Sequence, residues 1–154
     1  MNDKQKELAT SSVQLLRSLD AGALATQSVK HPGYPSVSVA PYAISGDGAI
    51  VFFFSSLATH TKNFRGDSKA SLFVSADKGD FAGARLTIIG DIEVLPENAI
   101  DDAASVYLAR HPEAKQWASF GDFQFYRLAP VSAYFVAGFG SMGWIDGDDF
   151  QGVI

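Results

Sequence analysis

The 154-residue chain contains no cysteine, and its 12 lysine and arginine residues are outnumbered by 17 acidic residues, which gives a formal charge of −5. The absence of cysteine excludes thiol catalysis, cysteine-ligated zinc and iron–sulfur clusters, and it fits a reducing compartment. The acidic balance, which continues in residues 145–154, disfavours general nucleic-acid binding. An anion site in such a chain must concentrate the few positive groups and backbone N–H donors in one place.

Long apolar runs are also missing from the sequence. No segment approaches the ~20 apolar residues of a transmembrane helix, and the charged N-terminal segment lacks the apolar region of a secretory signal. We therefore expect a cytoplasmic protein that does not bind membranes. A hydrophobic content of 47% is enough for a core, and no repeat or linker marks a boundary, so we expect one domain over residues 1–154.

Helical and strand periodicities follow one another along the chain. They predict an N-terminal helix in residues 1–20, barrel strands in 21–95, helices in 96–120, closing strands in 122–145 and an acidic tail in 146–154. The individual strands are predicted at 22–29, 36–44, 49–56, 69–76, 84–95, 122–130 and 131–139. Short strands of antiparallel type joined by tight turns favour a mainly β fold with helices (α+β), a small closed barrel; a sandwich is the alternative.

Hydroxyl and basic side chains are concentrated directly after the phenylalanine-rich strand, in the sequence SSLATHTKNFR. A short helix is predicted to begin there, near Ala58 or Thr59. Its first turn would expose unpaired N–H groups and a partial positive charge, to which Thr61 and Lys62 add a hydroxyl and a full charge. A phosphate monoester requires these donors. On the residues alone, an ordinary hydroxyl-capped helix start is the more frequent explanation.

Three segments, GYPSVSVAPYAI, FFSSLATHTKNFRGDSKASLFV and AGARLTIIGDIEVL, resemble the flavin-binding split-barrel superfamily named after pyridoxamine 5'-phosphate oxidase. The likeness is closest to the haem-utilisation branch of that superfamily and extends over roughly residues 8 to 145. It implies an antiparallel FMN-binding split β-barrel, and a homodimer in which each FMN site is shared between two subunits. The phosphate would be held by the turn after the phenylalanine-rich strand.

The resemblance also implies which residues contact the cofactor. The phosphate and ribityl chain would be held by Ser55, Ser56, His60, Thr61, Lys62, Asn63, Arg85 and Thr87, and the isoalloxazine ring would be contacted by the backbone of Ser38, Ala40, Pro41 and Tyr42 and by Trp144 of the partner copy. For Trp144 and Tyr42, ordinary packing of an aromatic side chain is an equal alternative. No metal ligands and no catalytic acid or base are predicted.

The function expected from this resemblance is that of an FMN-dependent oxidoreductase acting on a small molecule. No glycine-rich nicotinamide fingerprint follows a strand. The segment Ser38 to Tyr42 lacks the basic residues of members that oxidise pyridoxamine phosphate, so that substrate is disfavoured. Two alternatives remain: a haem-binding or haem-degrading protein on the same barrel, and a non-catalytic flavin-binding module.

The haem alternative depends on an iron ligand. In the haem-degrading members the axial histidine belongs to a C-terminal extension, and no such extension follows Ile154 in this sequence. Of the three histidines, His31 and His111 are expected at ordinary surface positions and His60 is expected to donate to a phosphate. Haem is therefore the alternative cofactor and FMN the first choice.

Overall fold

The computed structural model describes residues 1–79, 81–138 and 140–154. Within these ranges the elements follow one another as α1 (Asp3–Ser18), β1 (Ala21–Gln27), β2 (Pro35–Pro41), β3 (Ala43–Ile44), β4 (Ile50–Ser55), α2 (Thr59–Gly66), β5 (Lys69–Ser75), β6 (Arg85–Val94), α3 (Ile100–Arg110), β7 (Phe123–Gly138), β8 (Ser141–Asp146) and α4 (Gly147–Val153). Short 3-10 turns at Glu97–Ala99 and Pro112–Gln116 flank α3.

The strands form one antiparallel sheet in the order β2-β1-β5-β6-β7-β4-β3, and β8 pairs with β7. The sheet curls, so that β2 near one end also contacts β4 near the other without pairing with it. This arrangement confirms the predicted antiparallel split barrel with an N-terminal helix and a helical segment in the middle of the chain. None of the helices in the described ranges has the length and apolar character that crossing a membrane requires.

Helix α1 packs against β6 and β7 and shares one core with the inner side of the sheet. Its start is fixed by a capping box, in which Asn2 and Gln5 bond reciprocally to each other's backbone N–H. Leu8 and Leu16 recur at helical spacing and are buried. The strand residues that face this core are fully buried and include Leu24, Leu72, Leu86 and Ile88.

The strand predicted at 36–44 is two strands that lie at opposite ends of the sheet. The break falls at Tyr42, whose N–H donates to Asp20 O and whose hydroxyl donates to Leu16 O at 2.6 Å. These two bonds join β2 to the chain around α1, and β3 then pairs with β4 through the predicted turn at 45–48. The prediction of one strand was wrong because the bonds that divide it join distant parts of the sequence.

The two closing strands predicted at 122–130 and 131–139 are one continuous strand, β7, over the described residues Phe123–Gly138. Pro130 does not end it, because the pairing with β6 shifts between Ile89 and Gly90 and so forms a bulge beside Pro130. A proline at a bulge removes no essential ladder bond. Gly90 allows the close approach, since a Cβ there would lie 2.2 Å from Ala129 O.

The predicted acidic tail, residues 146–154, contains helix α4. The side chain of Asp146 caps the helix by accepting from Asp148 N–H at 3.1 Å. Phe150 is completely buried in the main core. The carboxylates of this segment therefore lie on a packed helix, and they serve in part as its cap and first turn.

Candidate functional site

Helix α2 begins at Thr59, as predicted, and packs against β1 and β2. Ala58 is its N-cap residue, and no side chain caps the first turn. Strand β4 leads directly into this helix and is buried from Ile50 to Phe54. The unpaired N–H groups of the first turn therefore directly follow a buried strand. Lys62, the fourth residue of the helix, is exposed.

His60 is half-buried beside β2. Its Nδ1 lies 3.4 Å from Ser38 Oγ, and its ring meets the ring of Phe54 edge-on at a centroid distance of 4.2 Å. Burial lowers the pKa of His60, which favours the neutral imidazole. Within the described part of the chain, two buried side-chain polar atoms lack a hydrogen-bond partner, and they are His60 Nε2 and Thr61 Oγ1. Both belong to the predicted phosphate set.

Asn63 and Ser55, also predicted to contact phosphate or ribityl chain, already bond to the chain itself. Asn63 is 2% exposed; its Oδ1 accepts from Val29 N–H at 3.0 Å and its Nδ2 donates to Thr26 Oγ1 at 3.1 Å. Ser55 Oγ donates to Asp122 Oδ2 at 2.5 Å and accepts from Leu57 N–H. Ser56 contributes its N–H to Asp122 O. These residues hold α2 and the turn before it in place.

Tyr42 is buried and hydrogen-bonded within the chain. It is 1% exposed, burial raises its pKa, and its backbone oxygen accepts from His111 Nε2 at 2.7 Å. His111, expected at the surface, is only 6% exposed because this bond and the ring of Tyr107 enclose it. Of the other β2 residues predicted to contact the ring, Ala40 is fully buried and Pro41 is half-buried.

Arg85, Thr87 and Trp144 lie on the opposite face of the sheet from Ser38. Paired residues form a row across six strands: Val39, Ala23, Phe73, Thr87, Tyr134 and Trp144. Because side chains alternate between the faces of a strand, this row points outward, whereas Ser38 and Ala40 point toward the core side. The predicted site is therefore divided in a single chain: β2 and α2 supply one half, and the outer face of β6 and β8 supplies the other.

The outer face around this row is apolar and exposed. We call it the outer apolar face; its large members are Val37, Val39, Phe73, Ile89, Met142 and Trp144, with 37% to 76% of each exposed. The rings of Trp144 and Tyr134 pack against each other with a centroid distance of 5.0 Å and a tilt of 45°. Arg85 contributes a positive charge at its edge, bonded to Phe81 O at 3.1 Å and lying 3.7 Å from Asp77.

A depression of about 450 Å³ lies at the turn between β1 and β2 and is lined by Ser28, His31, Tyr34, Pro35 and Ser36. The sequence predicted a plain loop here, and none of these residues was assigned to a site. A histidine and a tyrosine that each precede a proline, in the sequence HPGYP, were the available signal. Two other cavities, of about 500 and 440 Å³, are lined by charged residues such as Asp47 and Arg127 and contain no predicted site residue.

Both the sequence and the structure of the chain are similar to those of known proteins. Residues 3–151 match the family described as CREG, beta-barrel. The chloroplastic non-canonical haem oxygenase HOZ of Arabidopsis thaliana is 41% identical over 117 residues, which are 76% of this chain and 36% of that protein. The chain thus spans about a third of the length of the curated relative that it matches.

The solved structures that share the fold include two with contrasting descriptions. A haem-binding protein from Mycobacterium smegmatis superposes with a TM-score of 0.84 at 25% identity, covering 99% of this chain and 62% of that one. A Clostridium acetobutylicum protein of the pyridoxinephosphate oxidase family superposes with a TM-score of 0.71 at 15% identity, covering 94% of this chain and 98% of that one. The second likeness concerns the fold alone, and it agrees with the split-barrel topology.

Proposed function

The chain belongs to the CREG beta-barrel family, and from this premise we propose that it binds haem at a site formed between two copies of the chain. The observation that carries the proposal is the 41% identity with a haem oxygenase over 76% of the chain. This identity favours the haem alternative over the FMN oxidoreductase expected from the sequence. By the same analogy, we propose that the protein takes part in haem degradation.

The residues present suit a haem group in chemical type. A haem site needs an apolar wall for the macrocycle, a cation for the propionates and a ligand for the iron. The outer apolar face supplies exposed Phe73 and Trp144, and Arg85 supplies a cation on the same side of the sheet. Histidine is a common ligand of haem iron, and the chain contains three histidines. Bound haem would supply iron chemistry, while these residues would hold it and keep water away.

A second copy of the chain is the proposed partner at the outer apolar face. Contiguous apolar surface of this kind marks interaction sites in water-exposed proteins. The large members of this face carry no charge, so two copies can bury them against each other without taking a charged side chain of this set out of water. A partner copy would also place its β2 and α2 side against the outer face of the first copy. That arrangement reunites the two halves of the predicted site.

FMN is the second candidate ligand, for one specific reason. His60 Nε2 and Thr61 Oγ1 are buried polar atoms without partners, and unsatisfied buried polar groups are costly. Both atoms lie in the first turn of α2, where a phosphate is favoured. A flavin phosphate that reached them would relieve this cost. Haem and FMN would therefore contact different residues of the chain, and a binding experiment distinguishes between them.

The proposal is tested by titrating the purified chain with haem and, separately, with FMN. We expect a Soret band that shifts and saturates at about one haem per chain, since each proposed site pairs one outer face with one α2 side. We expect no saturable change in the flavin spectrum at matched concentrations. Saturable FMN binding without a haem complex would overturn the proposal and restore the flavoprotein interpretation.

A further inference from the structure

We propose that Asp77 is a positioning residue, which holds the guanidinium of Arg85 ready for a carboxylate of the ligand at the outer apolar face. The inference rests on the proposed function, because haem presents its propionates as carboxylates. The sequence pattern assigned Arg85 to a phosphate and gave Asp77 no role. The contact between the two side chains becomes visible only in the folded chain.

Arg85 points to the same side of the sheet as the outer apolar face. It lies two residues before Thr87 on β6, and Thr87 belongs to the outward row. Across the sheet Arg85 pairs with Val136, and Val136 pairs with Met142, which is 50% exposed within that face. The cation therefore lies beside the apolar surface that is proposed to contact the macrocycle.

The loop between β5 and β6 fixes one end of the guanidinium through two contacts. Arg85 Nη1 donates to Phe81 O at 3.1 Å and lies 3.7 Å from Asp77 Oδ2. Asp77 also holds Phe81, because Asp77 Oδ1 accepts from Phe81 N–H at 3.0 Å and from Gly79 N–H at 2.8 Å. Asp77 thus acts on Arg85 directly through its charge and indirectly through the carbonyl of Phe81.

The loop that carries Asp77 is itself held closely against the start of β6. Ala76 N–H donates to Ala84 O at 2.9 Å, and a Cβ at Gly83 would lie 2.5 Å from Asp77 N, so glycine is needed there. Phe81 has a φ of 60°, a left-handed conformation that is costly for a bulky residue. The bonds to its N–H and to its C=O hold it there. The partners of the guanidinium are therefore in place before a ligand binds.

The other edge of the guanidinium is open. Among the residues that the structure describes, none accepts a hydrogen bond from Nε or Nη2 of Arg85, and 31% of this side chain is exposed. The Asp77 side chain is only 12% exposed. A guanidinium presents its donors as a planar fork that matches the two oxygens of a carboxylate. A ligand carboxylate can therefore bind one edge of Arg85 while Asp77 holds the other.

The test compares binding of haem with binding of haem dimethyl ester, in which the propionates are esterified and uncharged. We expect Arg85→Gln to weaken haem binding at least about tenfold, since it removes a charge-assisted bidentate contact. Asp77→Ala should weaken it about two- to tenfold, because a flexible arginine must then be ordered when haem binds. Neither substitution should change the affinity for the ester.

Two further variants separate positioning from a general effect on the fold. Asp77→Asn keeps an oxygen for the N–H groups of Gly79 and Phe81, so it should restore haem affinity close to that of the wild type. Glu93→Ala is the matched control, because it breaks a carboxylate–arginine pair of 3.0 Å, with Arg127, outside the outer apolar face. It should leave both affinities unchanged.

A measurement without haem tests the hold on the side chain itself. NMR relaxation of the Arg85 Nε–H group should give a lower order parameter in Asp77→Ala than in the wild type. An unchanged order parameter would show that Asp77 does not position the guanidinium, and the assignment would be wrong.

The binding results can also overturn the assignment. Tighter haem binding by Asp77→Ala would show that Asp77 competes with the ligand for Arg85. Equal losses of affinity for haem and for its ester would show a loosened fold and no carboxylate contact. A wild-type chain that binds haem while Arg85→Gln binds it equally well would refute the assignment alone. A wild-type chain without a saturable Soret change would refute the proposed function, and the carboxylate contact with it.

Discussion

Replacing Asn63 by leucine is expected to lower the free energy of unfolding by about 2 to 4 kcal/mol. The side chain is 2% exposed and makes two hydrogen bonds, to Val29 N–H and to Thr26 Oγ1. Leucine has a similar size but neither an acceptor nor a donor, so the buried Thr26 hydroxyl and the partly buried N–H of Val29 lose their bonds, at about 1–3 kcal/mol each with the exposed Val29 at the lower end. Urea denaturation followed by circular dichroism measures the change.

Lys62→Leu is the matched control for this experiment, because Lys62 is the neighbouring residue on the same helix and is exposed. Its free energy of unfolding should change by no more than about 0.5 kcal/mol. The sequence had assigned both residues to a phosphate. Equal, small effects of the two substitutions would show that Asn63 is not part of the scaffold, and it would then return to the list of residues available for a ligand.

Phe73→Glu is expected to convert the protein from a two-chain to a one-chain species and to weaken haem binding by at least about 30-fold. Phe73 lies within the outer apolar face and is 40% exposed in the single chain, so a glutamate can stay hydrated there and the fold should be kept. Between two copies the same carboxylate would be buried without a partner, at a cost of several kcal/mol. A cost of about 2 kcal/mol already corresponds to roughly 30-fold.

Light scattering during size-exclusion chromatography measures the mass of the variant, and a haem titration measures its affinity. Val94→Glu is the control, because Val94 is 54% exposed but lies outside the outer apolar face. It should leave both mass and affinity unchanged. A Phe73→Glu variant that stays a two-chain species and binds haem as tightly as the wild type would exclude this face as the proposed interface.

Local patterns in the sequence were sufficient for much of the fold. The apolar spacing of α1, the turn at 45–48, the start of α2 at Thr59 and the alternation of β6 all depend on neighbours within a few residues. The break at Tyr42 and the bulge beside Pro130 depend on partners far along the chain. No local pattern contains that information.

The candidate site was predictable in composition but not in arrangement. The sequence collected Ser38, His60 and Arg85 into one site, whereas pairing across the sheet separates Ser38 and His60 from Arg85. The hydrogen bonds of the Asn63 amide to Val29 and Thr26 could not be predicted, because they depend on which loop lies against α2. The depression at the β1–β2 turn was not predicted for the same reason, because the shape of a surface is a property of the folded chain.

The most direct test of a haem site between two copies is sedimentation velocity of the haem-loaded wild-type chain, recorded at the Soret wavelength. That signal follows only molecules that carry haem. The account predicts that it sediments as one boundary with the mass of two chains. Haem absorbance that sediments with a single chain, or that stays behind the protein altogether, would contradict it.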